Sequence, residues 1–579
     1  MIKIRNLCFS FKGRSLPALN HISTDIQPGE RIAIVGSNAS GKTTLARCLN
    51  GLLLPASGYV KVDELDTRDR DSLSAIRRII GIVFQNPDDQ LVTTSVEYEI
   101  AFGLENIGVP TPTMHHRVNE ILERFALTRY RHHPPHLLSG GEKQRLAIAS
   151  NVALKPQYLV LDEPTSMLDS AGQFQVLDVI DELSTREQIA TIQITQNVEE
   201  AVRADRVIVM EQGRIVLDGS PSSVFSDPNR IQSIGLEIPF LFALENSLPE
   251  NSTSSQLSLD DLSECVVQIA KTQSKSQSDL CRDNDNAHNN ATQRATLRVE
   301  NVYHSYKLEN ATIIPALVDV TADLSTGGAI GIIGSSGSGK STLAQHLNGL
   351  LSPQSGRVLL DGHDLATTPN EAQSRRRVGL VFQYPEIQLF EETVAEDVAF
   401  GPRNIGCGEA EIEERVNNAL NAVALPGEQF GSRQPTALSG GERRRAAIAG
   451  VLAMDPDVLI MDEPTAGLDP MGFTLLVNLL NSLRKQGTLL VLVTHDVRLV
   501  AAATSRVIAL ADGRITMEGK TDMILADPNF NQLTGLQSPP HAQLVHLLQQ
   551  SEISVPKNLL TQQQVLDFVT CLTKNDRND

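Results

Sequence analysis

Short runs rich in Val, Ile and Leu punctuate this chain and recur in order in its two halves. They are Arg31–Val35 and Ala329–Ile333, Tyr158–Leu161 and Val458–Met461, Ala190–Thr195 and Leu489–Thr494. Brief apolar runs without alternation predict strands buried on both faces, and the helical-period segments between them predict crossovers. Each half opens on a β-type stretch, Ile2–Phe11 and Leu297–Tyr306, and closes on an amphipathic pattern, Leu259–Ala270 and Leu560–Leu572. Gly235, Leu236 and Pro239 return as Gly535, Leu536 and Pro539, so the repeat runs on into these tails. A solenoid repeats every roughly 20–50 residues; a repeat this long is a duplicated domain. The predicted class is α/β: two tandem domains, each with a mostly parallel sheet core and a small C-terminal helical extension. The boundaries read from the sequence are 1–270 and 296–579. The segment 271–295 between them is rich in Ser, Gln, Asn and Asp, has little apolar surface to bury, and reads as a flexible linker. As a coil it spans roughly 25–30 Å on average.

The first apolar run of each half leads into a glycine-rich loop. One reads Gly36, Ser37, Asn38, Ala39, Ser40, Gly41, Lys42, Thr43, followed by Thr44; the other reads Gly334, Ser335, Ser336, Gly337, Ser338, Gly339, Lys340, Ser341, followed by Thr342. A strand, such a loop and a helix together form a phosphate cradle: the glycines let backbone N–H groups face a phosphate, backed by the helix N-terminus. Lys42 and Lys340 add a point charge, and Thr43 and Ser341 offer hydroxyls to Mg²⁺. Asp162 and Asp462 end later strands, where a carboxylate holds Mg²⁺ directly or through water. Glu163 and Glu463 follow them and suit the orientation or deprotonation of an attacking water. The plainer reading of either glutamate is a cap on the next segment.

The bulk composition narrows the field. The formal charge is −19, with 50 Lys and Arg against 69 Asp and Glu. Wrapping a nucleic-acid backbone asks for clustered basic residues, so no nucleic-acid partner is expected. No stretch approaches roughly 18 uninterrupted apolar residues, which predicts no direct membrane insertion. The first residues lack the apolar core of a signal peptide. Six scattered cysteines include no C-x-x-C pair, which argues against a disulfide framework or zinc site. The run Arg131-His132-His133-Pro134-Pro135-His136 reads as a loop rather than a metal site. Arg375, Arg376 and Arg377 read as a solvated face.

Leu138-Ser139-Gly140-Gly141-Glu142 and Leu438-Ser439-Gly440-Gly441-Glu442 resemble the signature motif of ATP-binding-cassette (ABC) ATPases. The resemblance covers nearly all of both halves. It implies a P-loop ATPase core with a helical subdomain in each, and ATP and Mg²⁺ as cofactors. It further implies that the two halves of one chain pair head to tail, so that Ser139 and Gly141 meet the phosphate held by the second half, and Ser439 and Gly441 that held by the first. Gln85 and Gln383 match the family's Q-loop glutamine, which senses Mg²⁺ and a transmembrane partner. Phe11 and Tyr306 fall near its adenine-stacking aromatic, with Phe9 competing for that place. Asp169 and Asp469 match its D-loop. His495 matches its switch histidine, whereas the first half carries Gln196. Glutamine can hydrogen-bond a phosphate but cannot change its charge near neutral pH. Either the first site is impaired, or Gln196 suffices for positioning.

The stretches Phe84–Gln90 and Phe382–Pro402 resemble the paired ATPases of energy-coupling-factor importers, here fused. That implies a transmembrane transporter subunit, a separate substrate-capture membrane protein, and peripheral attachment at the cytoplasmic face of the cell membrane. Two other readings compete: the fused ATPase of a conventional sugar importer, and a ribosome-associated tandem cassette protein. The acidic charge and short polar linker argue against the latter.

Overall fold

Among the described residues, ten strands build each half on one plan. In the first they are β1 (Ile2–Phe9), β2 (Leu19–Ile26), β3 (Arg31–Val35), β4 (Ser57–Val62), β5 (Leu65–Asp66), β6 (Ile80–Val83), β7 (Tyr158–Asp162), β8 (Ala190–Ile194), β9 (Arg206–Glu211) and β10 (Arg214–Gly219). The computed structural model describes residues 1–12, 16–166, 168–248, 259–273, 294–307, 313–325, 328–367, 376–383, 385–551, 553, 555–556 and 559–574. Residues 274–293 of the proposed linker, and Arg375 of the basic run, lie outside them. The chain forms two compact units, Met1–Ala243 and Leu244–Asp579.

In the first unit the order β10-β9-β3-β8-β7-β6 forms one sheet. Its pairings are parallel except at the β9–β10 edge. Strands β7 and β8 are buried throughout, as expected where both faces are covered. A second sheet, β2-β1-β4-β5, is antiparallel. Its inner residues Ile2, Ile4, Leu7, Val60 and Val62 share a core with Ile32, Ile34, Val160 and Ile192 of the first sheet. The sequence reading anticipated the parallel sheet but not this second layer, whose strands mix buried and exposed positions.

Helices Val96–Asn106, Thr111–Arg124 and Gly140–Val152 form a helical lobe around Ile100, Leu122, Phe125, Leu146 and Ile148. Ser95 caps the first of these by accepting from the Tyr98 N–H. The His-rich loop supports the same helix: the Val96 and Glu97 N–H groups donate to the carbonyls of His133 and Arg131.

The second unit repeats the plan with Val378–Val381, Val458–Asp462, Leu489–Val493, Ala329–Ile333, Arg506–Ala511 and Arg514–Lys520 side by side. Arg377 does not simply face solvent: its guanidinium bridges Asp457 and Asp361, at 2.6 Å each. Helix Leu259–Gln273 packs with helices Pro540–Gln550 and Gln562–Lys574 in this unit. Among the described residues, no helix is long and apolar enough to cross a membrane.

Candidate functional site

Neighbouring strands of the parallel sheet deliver the motif residues to one edge. The phosphate loop leaves the end of β3, Gln196 follows β8, Asp162 ends β7 with Glu163 directly after it, and Gln85 follows β6. The crevice beyond the carboxyl ends of such strands is where open α/β sheets bind ligands.

The phosphate loops are tightly built. Lys42 Nζ donates to the carbonyls of Gly36 and Ser37 at 2.7 and 2.9 Å, and Lys340 Nζ to those of Gly334 and Ser335 at 2.8 Å each. A Cβ at Gly36 would stand 2.2 Å from the Met210 carbonyl oxygen, and one at Gly334 the same distance from that of Leu510. Gly41 and Gly339 start the following helices at φ 103° and 99°, where a side chain would be strained. Between them, Ala39 adopts φ 62° where the second half has Gly337. Ser40 and Ser338 are buried within the loops.

The strand-end carboxylates suit a divalent cation. Burial above all pushes Asp162 up to about 6; the Thr43 hydroxyl, donating at 3.1 Å, opposes this, and the charge of Glu163 adds to it. Asp462 is likewise pushed up to about 6 by burial, against the Ser341 hydroxyl and with Glu463 adding. Its Oδ1 is buried without a hydrogen-bond partner. Buried carboxylates held this high, beside a hydroxyl and an orphaned oxygen, fit Mg²⁺, whose charge would favour their ionised form.

Glu163 and Glu463 both sit at φ 47°. For a non-glycine residue this region costs roughly 1–2 kcal/mol, and such strain clusters at functional sites. The two are held differently. Gln85 Nε2 donates to Glu163 Oε2 at 2.7 Å and Gln196 Nε2 to Oε1 at 2.6 Å; Gln196 Nε2 also reaches Asn38 Oδ1 at 2.9 Å. Glu463 accepts from the Thr494 hydroxyl at 3.0 Å, from His495 Nδ1 at 2.8 Å and from the His495 N–H at 3.4 Å. Burial alone would raise Glu463, but the His495 hydrogen bond and charge, with Lys340 and Thr494, hold it below the usual range. Burial likewise works against a charged His495, yet Glu463 and Asp496 keep it above the usual imidazole value.

Other predicted residues are placed apart from this cluster or in different contacts. Ser139 and Ser439 cap their helices in reciprocal boxes with Glu142 and Glu442. Around Gly441 an added Cβ would meet open space; at Gly141 it would meet only Leu168 and Gly172, at 3.9 and 4.0 Å. Asp169 and Asp469 cap helices through the Gly172 and Gly472 N–H groups, both at 2.8 Å. The Gln85 side chain bonds Glu163 rather than Asp162, whereas the backbone carbonyl of Gln383 accepts from Arg444 at 3.4 Å. Phe11 is exposed and edge-on to Phe9, which packs against the core. The Tyr306 hydroxyl stands 3.3 Å from that of Thr342.

Three contributors escaped the sequence reading. Thr494 and Thr195 are buried next to the switch residues. Arg444 donates to the carbonyls of Glu463, at 2.6 Å, and Ala466, tying the helix Gly440–Leu452 to the loop that follows Asp462. Its counterpart Gln144 has a buried Nε2 without a partner. That mismatch within otherwise parallel motifs was the available signal.

Known proteins show the same pattern. The family described as "ABC transporter" matches residues 19–166 and again 317–466. A "Putative ABC transporter ATP-binding protein" of Caldanaerobacter subterraneus subsp. tengcongensis is 35% identical over 565 residues, covering 96% of this chain and 97% of that one. One of the same description from Methanosarcina mazei is 31% identical over 588 residues, covering 98% and 97%. The solved structure of cbiO1 from Clostridium perfringens, part of the ABC transporter complex cbiONQ, is 34% identical, covering 42% of this chain and 98% of that one, with TM-score 0.37. With its motif set present twice on a duplicated α/β fold, the chain belongs to the ABC transporter family as a tandem ATP-binding ATPase.

Proposed function

We propose that this chain is the energy-coupling subunit of an ABC-type membrane importer of the energy-coupling-factor kind, working at the cytoplasmic face of the membrane through a transmembrane partner and a separate substrate-capture protein. The observation that carries the reading is the Gln85–Glu163 hydrogen bond of 2.7 Å. It joins the loop whose sequence resembles the partner-facing Q-loop to the carboxylate that would act on water.

In this reading Lys42 and Lys340 neutralise phosphate charge, and the loop glycines admit the phosphates to the backbone. Mg²⁺, held by Thr43 with Asp162 and by Ser341 with Asp462, would supply charge stabilisation to the transferring phosphoryl group. Glu163 and Glu463 orient water and accept its proton, while Gln196 and His495 fix the direction of those carboxylates. Phe11 and Tyr306 stack on adenine. Ser139 with Gly141, and Ser439 with Gly441, complete the opposite half's site. ATP closes the halves, and hydrolysis with product release reopens them.

Co-expression with candidate multi-span membrane proteins, followed by detergent purification, tests this. A stable complex whose ATPase drops with Gln85→Ala is expected. A chain that ignores every such partner and binds liposomes alone would overturn the reading.

A further inference from the structure

Glu163 and Glu463 have different hydrogen-bond partners, and a buried residue near the first has no polar counterpart near the second. Glu200 lies in the short helix Val198–Ala201, is 5% exposed, and its two oxygens are fully engaged. Oε1 accepts from the Thr165 hydroxyl at 2.7 Å and from Asn197 Nδ2 at 3.4 Å; Oε2 accepts from the Thr195 hydroxyl at 2.9 Å and from Gln193 Nε2 at 2.8 Å. Thr165 stands two residues after Glu163. Thr195 and Asn197 flank Gln196.

A threonine hydroxyl has one proton to give. Thr195 gives it to Glu200, while its oxygen accepts from the Asn197 N–H at 3.0 Å. The second half supplies the comparison inside the same chain. There Leu499 and Leu492 occupy the places of Glu200 and Gln193, and both are fully buried. Thr494 still accepts from the Asp496 N–H, at 2.9 Å, but its proton goes to Glu463 Oε2 at 3.0 Å. With no hydroxyl available, Glu163 is left to two amides, one of them Gln85.

We infer that Glu200 is a positioning residue of the first ATP site, which withholds the Thr195 hydroxyl from Glu163 and so makes that carboxylate depend on Gln85. This rests on the reading of Glu163 as the residue that acts on water. The consequence is an unequal division of control. The first site answers to the loop that would face a membrane partner, whereas the second holds its carboxylate with groups of its own switch.

A double-mutant cycle reads this directly. The full chain carrying Glu463→Gln is mixed in excess with radiolabelled ATP and Mg²⁺, and the single-turnover hydrolysis rate is measured. Gln85→Ala is expected to slow that rate about 10-fold, the loss of a hydrogen bond to a charged group. In a Gln193→Leu/Glu200→Leu background, which copies the second half's own side chains, Thr195 is released to Glu163. The loss from Gln85→Ala should then shrink to about 2-fold, while Glu200→Gln, which still accepts from a threonine, should keep the full dependence. Equal losses in both backgrounds would overturn the inference, as would a Glu200→Gln chain that behaves like the leucine variant. A second test runs in the opposite direction. Leu492→Gln/Leu499→Glu in a Glu163→Gln chain should make the second site newly sensitive to Gln383→Ala, and no new sensitivity would also overturn it. The Glu163→Gln/Glu463→Gln chain separates the two levels of argument. If it turns over ATP as fast as Glu463→Gln alone, the role given to Glu163 falls, whatever the cycle shows.

Discussion

Replacing Glu463 by glutamine should nearly silence ATP hydrolysis, whereas Glu163→Gln should spare a large fraction. Both changes are nearly isosteric. The carbonyl of the substituted amide can still accept from Thr494 or His495, which stand 3.0 and 2.8 Å from the Glu463 carboxylate, so the loop should hold its shape. What is lost is the basic oxygen, and a positioned general base is worth about 10²–10⁴-fold at its own site. The asymmetry comes from the switch residue. His495 is kept charged to higher pH than a free imidazole, although burial opposes this, because Glu463 and then Asp496 face it. A cation there can meet developing phosphate charge. Gln196, bonded to Glu163 and to Asn38, brings only an amide dipole. If the histidine-bearing site carries most turnover, removing its base takes the steady-state rate down to what the glutamine-bearing site supplies. Phosphate release by each single mutant, with the membrane partner present, measures it. Equal losses would mean that the sites act as one unit, where single effects are not additive. A greater loss from Glu163→Gln would refute the view of Gln196 as the weaker switch.

Two further outcomes are expected. The His495–Glu463 pair should weaken as pH rises: a raised imidazole pKa leaves its contribution complete below the ordinary value and removes it as pH climbs through the raised one. A Glu163→Gln chain should therefore show an alkaline fall in ATPase that His495→Gln abolishes, and a fall that survives His495→Gln would assign it elsewhere. Gly334→Ala should cost about 1–3 kcal/mol and abolish ATP binding at the second loop, because its Cβ would stand 2.2 Å from the Leu510 carbonyl oxygen; an unchanged melting temperature with full binding would contradict this.

The parts of the fold that rest on local pattern could be read from the chain. The runs at Arg31–Val35 and Ala329–Ile333 are strands with those bounds, and the phosphate loops follow them directly. Boundaries elsewhere moved by a residue or two, as at Ala190–Ile194. The antiparallel sheet was hidden because β1 pairs with β4, far along the chain, as well as with β2, so its register is not set by any local pattern. The choice of donor to each glutamate was hidden for the same reason. Nothing local to Glu163 says that Thr195 is already taken by Glu200, or that Glu163 must adopt φ 47°. Arg444 and Gln144 occupy matching places in the signature helices, yet only the fold reveals that the arginine reaches the Glu463 carbonyl.

That one chain carries two ATP-binding sites is tested most directly by counting bound nucleotide. Equilibrium dialysis with ATP and Mg²⁺ should give about two equivalents for the native chain, about one for Lys340→Ala, and none for Lys42→Ala/Lys340→Ala, since each lysine is the point charge of its own phosphate loop. Two equivalents retained by Lys340→Ala would contradict the account.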